Sequence, residues 1–148
     1  MTPSPELVAF VAAWEDFRQY AYLDMVGVPT IGYGFTRGVQ MGDTMTRAEA
    51  DARLAATLAD YWARLQPFLT REPSQQQADA LTSIAYNCGV DAIGNSGLVA
   101  RFNEGDDDGV CERFLRWSRA GGRVVPGLLR RRQAEVAIYQ RGDYSWLP

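Results

Sequence analysis

The periodicity of the chain changes between Trp14 and Thr36, and this change limits how the chain can fold. Leu7, Phe10, Val11 and Trp14 recur at helical spacing. Ser4 suits an N-cap and Pro5 the first helical position. The spacing predicts a helix from about Pro5 with its apolar stripe buried. Then the pattern becomes that of strands. Tyr20–Asp24 leads into Met25-Val26-Gly27, and Val28–Tyr33 leads out, with Gly27 as the turn residue. Asp24 and Thr30 stand equidistant from Gly27, so a simple hairpin sets them face to face. Strand alternation places Thr30, Gly32 and Gly34 on one face, and Ile31, Tyr33 and Phe35 on a core face.

Glu15 lies at the edge of the helical stripe, in the last turn. A carboxyl there meets the negative end of the helix dipole, which favours the protonated form that a general acid requires. The first hairpin face offers a hydroxyl, a carboxylate and two residues without side chains. Such a surface lets a ligand approach the backbone closely. Glu15, Asp24 and Thr30 are therefore the candidate catalytic residues, with Gly32 and Gly34 as candidate substrate-binding positions.

Composition narrows the chemistry. The chain of 148 residues has no histidine, and all fifteen basic residues are arginine. Nucleophilic systems built on His or Lys, Schiff-base chemistry and the phosphate-binding P-loop lysine are thereby excluded. With two cysteines and no histidine, a structural zinc site lacks ligands. Asp and Glu remain as acid and base, and glycoside hydrolysis is the chemistry most often done by two carboxylates.

The rest of the chain reads as helices. Residues 37–43 suggest a third short strand or a loop. Thr46-Arg47-Ala48-Glu49 is a capping box, opening a helix that carries Leu54, Leu58, Tyr61 or Trp62, and Leu65, and ends before Pro67. Ser74 opens another, burying Ala78, Leu81, Ala85 and Cys88 and stopping at Gly89. A turn at residues 94–97 leads into a short helix through Leu98, Val99 and Phe102. The acidic loop at 104–109 reads as helix-start chemistry rather than a calcium loop. Val110, Phe114 and Trp117 line the next helix, which Gly121-Gly122 breaks. The last runs from Pro126 to about Arg141, with Gly142 as its cap and Leu128, Val136 and Tyr139 facing the core. Cys88 and Cys111 read as small buried residues, and Arg132 as part of a solvated basic face.

Glu15, nine residues to Asp24, six more to Thr30, then Ile31-Gly32-Tyr33-Gly34, resembles the catalytic signature of the phage-type lysozymes, glycoside hydrolase family 24. The stretches Ala80–Gly89, Arg116–Arg123 and Gly127–Glu135 resemble the endolysins of that family, in the same order along the chain. The resemblance implies a mainly α (α+β), lysozyme-like fold with a small β-hairpin lobe, a helical lobe and a cleft between them. It implies one catalytic domain over residues 1–148, the small lobe about 15–60 and the helical lobe about 1–14 and 61–148. It implies a muramidase cleaving the β-1,4 bond between N-acetylmuramic acid and N-acetylglucosamine with inversion. Glu15 would protonate the leaving oxygen, and Asp24 would stabilise the charged sugar and, with Thr30, position water. Tyr86 and Asn87 would border the sugar-binding cleft. Arg130 or Arg131 could reach Glu15 and orient it. No metal or organic cofactor is implied.

Two positions depart from the family. Asp16 stands where glycine usually follows the catalytic Glu, and Phe35 where histidine usually follows Tyr-Gly. Neither removes a catalytic group, and Phe35 is expected to pack on the core face.

Charge is uneven. Residues 1–100 carry six Arg against eleven acids (net −5), and residues 101–148 carry nine Arg against seven (net +2). The basic end suits an anionic polymer such as peptidoglycan, while a pI near 4.9 argues against nucleic acid. No run of eighteen apolar residues suggests a stable membrane insertion, and no basic start suggests a signal peptide. The expectation is a monomer that stays in the host cytoplasm until a separate pore-former releases it to the periplasm and cell wall. Two other readings use the same residues. A lytic transglycosylase breaks the bond without water, which the pairing of Asp24 with Thr30 opposes. A silent wall-binding or phage structural domain would need a damaged triad, and this one is intact.

Overall fold

The computed structural model describes residues 1–148. Seven helices and two small antiparallel hairpins follow one another: α1 (Pro5–Trp14), β1 (Arg18–Leu23), β2 (Pro29–Gly32), α2 (Arg47–Leu65), α3 (Gln75–Cys88), α4 (Val90–Gly94), α5 (Gly97–Glu104), α6 (Asp107–Arg116), β3 (Arg119–Ala120), β4 (Arg123–Val124) and α7 (Pro126–Arg141). A 3₁₀ turn at Gln66–Phe68 closes α2.

The helix starts form where the sequence places them. Ser4, Thr46 and Ser74 accept from backbone N–H groups three residues on, and Thr46 and Ser74 complete capping boxes with Glu49 and Gln77. Asp106 caps α6, as the acidic loop suggested. Leu54, Leu58, Trp62 and Leu65 form the buried stripe of α2.

The centre of the molecule is α3, packed against α2, α4 and α7. Residues 78–85 are all buried, so this helix is enclosed on every side. Its buried polar groups all have partners. Asp79, fully buried, accepts from Ser4 Oγ (2.5 Å), Gln75 Nε2 (3.0 Å) and Tyr144 Oη (2.6 Å). Ile31, Tyr33 and Phe35 join α1, α2 and α3 in one continuous core, which couples the first hairpin to the helices.

The first hairpin differs from the simple expectation in register. Tyr22 pairs with Thr30 and Leu23 with Pro29, with an irregularity between Arg18 and Tyr22. Asp24 therefore does not face Thr30. Its Oδ1 accepts from the N–H groups of Val26 (3.0 Å) and Val28 (2.8 Å), so it closes the turn itself. Beyond β2 the chain folds back at once. Ile31 and Phe35 exchange backbone hydrogen bonds of 2.9 and 2.8 Å around Gly32-Tyr33-Gly34. Both glycines have positive φ, +64° and +87°, which side chains disfavour. Residues 43–45 run along the open edge of β1, with Ala21 N–H on Asp43 O and Met45 N–H on Gln19 O.

Three further expectations are corrected. Gly121-Gly122 does more than break α6, because it is the two-residue turn of the β3–β4 hairpin, with φ of +59° and +77°. Arg132 is fully buried rather than solvated. Cys88 is only half-buried, whereas Cys111 is buried, and both are free thiols. No helix is long and apolar enough to cross a membrane.

Candidate active site

Glu15 is the first residue beyond α1. Its N–H still bonds Val11 O, but its backbone is extended (φ −103°, ψ 139°). That placement turns its side chain out of the helical stripe and leaves it 26% exposed. Arg131 of α7 donates from Nη1 to Glu15 Oε1 at 2.9 Å. The Arg131 side chain is 7% exposed, so this contact is largely shielded from solvent. Of the two arginines the sequence left open, Arg131 makes the contact, while Arg130 is exposed. Glu15 Oε2 has no hydrogen-bond partner in the protein.

Asp24 is partly buried at the hairpin turn. Two backbone N–H groups fix Oδ1, which orients Oδ2 without occupying it. Thr30 is 4% exposed. Its hydroxyl donates to Val28 O at 2.9 Å, so the oxygen keeps its lone pairs for an incoming donor. Val28 thus connects the two side chains: its N–H holds Asp24 and its carbonyl holds Thr30.

Gly32 and Gly34 do not share one open face. Gly32 is buried, and a Cβ there would sit 2.9 Å from Met45 Sδ and from Phe35 Cδ2. Gly34 is exposed with nothing within 4 Å of the same position. It lines a groove of about 530 Å³ together with Arg37, Arg53, Thr57, Tyr61 and Tyr86. Phe35 packs in the core, edge-on to Tyr33, with the Arg53 guanidinium 4.5 Å above its ring.

Tyr86 stands at the end of α3 with its ring 5.2 Å from that of Tyr61. Burial, and then the negative charge of Glu15, push its hydroxyl up to about 12. Asn87, the next residue, is exposed, but its Oδ1 accepts from Arg132 Nη2 at 2.6 Å.

Sequence reasoning missed what lies beneath. Arg132 also donates to Cys88 Sγ (2.9 Å) and to Glu135 Oε1 (3.0 Å). Glu135, fully buried, accepts from Ser83 Oγ at 2.9 Å and lies 3.5 Å from Arg131 Nε. Burial pushes its carboxyl up, opposed first by Arg132 and then by Arg131. The signal was present: Glu135 stands three and four residues after the two arginines, on their helix face.

A larger groove of about 640 Å³ lies between α1 and α2, lined by Pro5, Val8, Ala12 and Ala55. It contains none of Glu15, Asp24 and Thr30, and Asp51, its only carboxyl, is bonded by Tyr33 Oη at 2.6 Å. The smaller groove at Gly34, Tyr61 and Tyr86 is likewise lined by none of the three.

Comparison with known proteins identifies the family and the fold. The family model described as phage lysozyme matches residues 12–135. The chain is 35% identical over 137 residues to an endolysin of Acyrthosiphon pisum secondary endosymbiont phage 1, covering 90% of this chain and 94% of the relative. Its fold is similar to that of an endolysin from Escherichia coli O157:H7 phage FAHEc1, with a TM-score of 0.87, 30% identity, and 97% and 96% of the two chains covered. It is equally similar to the muramidase domain of SpmX from Asticaccaulis excentricus, with a TM-score of 0.87, 29% identity, and 94% and 97% covered.

Proposed function

The chain belongs to the phage lysozyme family, and from that premise we propose that it is an endolysin-type muramidase acting on bacterial peptidoglycan. Lysozyme-type hydrolysis of peptidoglycan follows from the family. The finer reading assigns the β-1,4 bond between N-acetylmuramic acid and N-acetylglucosamine, and the roles of three residues. A muramidase domain among its structural neighbours supports the choice of bond.

Glu15 donates its proton to the glycosidic oxygen as the bond to the anomeric carbon breaks. Positive charge develops on the sugar, and Asp24 stabilises it. A water held between Asp24 Oδ2 and Thr30 Oγ1 attacks the anomeric carbon from the opposite face. Its proton passes to Asp24 and its hydroxyl stays on the sugar with inverted configuration. Proton return from Asp24 to Glu15 through solvent resets the site.

The observation that carries this reading is the Arg131–Glu15 contact of 2.9 Å. It holds one Glu15 oxygen in place and leaves the other without a protein partner. Orientation of this kind removes entropy from the reacting pair before substrate arrives. Gly34 and Tyr86 line the groove of about 530 Å³, and Asn87 follows Tyr86 at the end of α3. An exposed glycine lets the glycan approach the backbone, and a tyrosine offers a flat apolar face to a sugar ring.

The test is digestion of purified peptidoglycan by wild type and by Glu15→Gln, with products read by mass spectrometry. Muropeptides with reducing ends from wild type and none from the variant are expected. Anhydro-muramyl products would replace hydrolysis with transglycosylation. Binding without release by folded wild type would make the chain a wall-binding domain.

A further inference from the structure

We propose that Glu135 is a positioning residue that anchors two arms of the site at once, setting Glu15 through Arg131 and Asn87 through Arg132. The proposal rests on the reading of Glu15 and Asn87 given above and extends it to residues that touch no substrate.

The geometry is a fork. Glu135 Oε1 lies 3.5 Å from Arg131 Nε and 3.0 Å from Arg132 Nη2. The first arginine continues to Glu15 Oε1 at 2.9 Å, and the second to Asn87 Oδ1 at 2.6 Å. One carboxylate oxygen therefore pairs with both guanidinium groups: with Arg131 as an ion pair at 3.5 Å, and with Arg132 through Nη2, the same nitrogen that donates to Asn87. The Arg131 guanidinium is planar and rigid, so restraint at Nε is transmitted to Nη1, while Arg132 Nη2 bridges Glu135 and Asn87 directly. Ser83 Oγ, donating from α3 at 2.9 Å, ties the fork to the central helix.

Stability alone does not explain this cluster. Arg132 and Glu135 are fully buried, and Arg131 is nearly so. Arg131 Nε and Nη2, Arg132 Nε and Glu135 Oε2 are buried without a hydrogen-bond partner. Each such atom costs free energy, and an apolar cluster of the same shape would avoid the cost. The ends of the fork account for it: one reaches the carboxyl proposed as acid, the other the exposed amide of Asn87, proposed to border the cleft.

The two arms separate in kinetics. Arg131→Lys keeps a charge but loses the two-edged reach, so kcat falls about 10- to 100-fold with KM little changed, as expected for misplacement of an acid. Arg132→Lys cannot span Glu135, Cys88 and Asn87 together, so KM rises by a similar factor with kcat little changed. Glu135→Gln moves both, and Glu135→Asp recovers part of each. Should Glu135→Gln fail to fold, Ser83→Ala gives the milder form of the same result, a smaller shift in both constants.

Kinetics on soluble peptidoglycan fragments and thermal melts of each variant test the proposal, with Glu15→Gln in parallel. A double shift for Glu135→Gln that divides between the two arginine variants supports the anchor. Folded Glu135 and Ser83 variants with a lowered melting temperature and wild-type kcat and KM overturn it, leaving the site reading intact. Activity retained by Glu15→Gln overturns the site reading itself.

Discussion

Ser4 Oγ donates to Asp79 Oδ2 at 2.5 Å while accepting from Leu7 N–H at 3.1 Å. One hydroxyl caps α1 and fastens it to the central helix. Asp79 also accepts from Tyr144 Oη at 2.6 Å, so the buried carboxylate holds both ends of the chain. Asp79→Ala is expected to cost about 2–4 kcal/mol, because it strands several donors and opens a cavity. A melt followed by circular dichroism should show a fall of about 5–15 °C. Peptidoglycan hydrolysis well below the new midpoint should be unchanged.

In the proposed mechanism Asp24 serves two purposes, and one substitution separates them. Asparagine keeps an oxygen for the Val26 and Val28 N–H groups but removes the charge. Asp24→Asn should therefore keep its melting temperature while kcat falls at least about 10²-fold. Wild-type turnover by this variant would show that Asp24 only shapes the turn.

Thr30→Val has nearly the same shape and loses only the hydroxyl. Its bond to Val28 O, 2.9 Å, is lost with it, at a cost of about 1 kcal/mol. Turnover should fall about 10²-fold or more if the hydroxyl positions water, and Thr30→Ser should restore most of it. Equal activity of the valine and serine variants would remove Thr30 from the mechanism.

Tyr86 titrates at about 12, raised first by burial and then by Glu15. Burial likewise raises Tyr33, Tyr139 and Tyr144, and hydrogen bonds to Asp51, Asp107 and Asp79 add to it. A raised phenol stabilises the fold at every pH below its unfolded value near 10, and that contribution is lost as pH climbs further. Stability should fall steeply above about pH 10. Ultraviolet titration should show these tyrosines still protonated at that pH. In Glu15→Gln the Tyr86 midpoint should drop, since its second largest cause is gone. An unmoved midpoint would mean that Tyr86 and Glu15 do not share a space.

The parts of the fold written in short-range chemistry were legible. Ser4, Thr46 and Ser74 cap their helices because a cap needs only residues within one turn. The core face of Ile31, Tyr33 and Phe35 was equally plain, since alternation alone assigns it. The hairpin register was not. Counting from Gly27 set the centre of the turn one residue late: Tyr22 pairs with Thr30 and Asp24 N–H bonds Val28 O, so the pairing is centred on Val26, and the Asp24 side chain takes the turn N–H groups. Arg132 was misread because a run of arginines suggests solvent, and its burial depends on Glu135, Asn87 and Cys88 arriving from two helices. Gly121-Gly122 was read as an end, although two glycines between Arg119-Ala120 and Arg123-Val124 also fit a hairpin turn.

The Arg131–Glu15 contact joins residues 116 positions apart. A ribosome therefore makes Glu15 early and its partner almost last. Until α7 has emerged, Glu15 has no guanidinium to orient it, and any prematurely ended chain lacks the finished site. The same arrangement divides the machinery between two pieces, neither complete alone. Split within a loop of the helical body, the halves would work as a complementation pair whose activity reports that they have met.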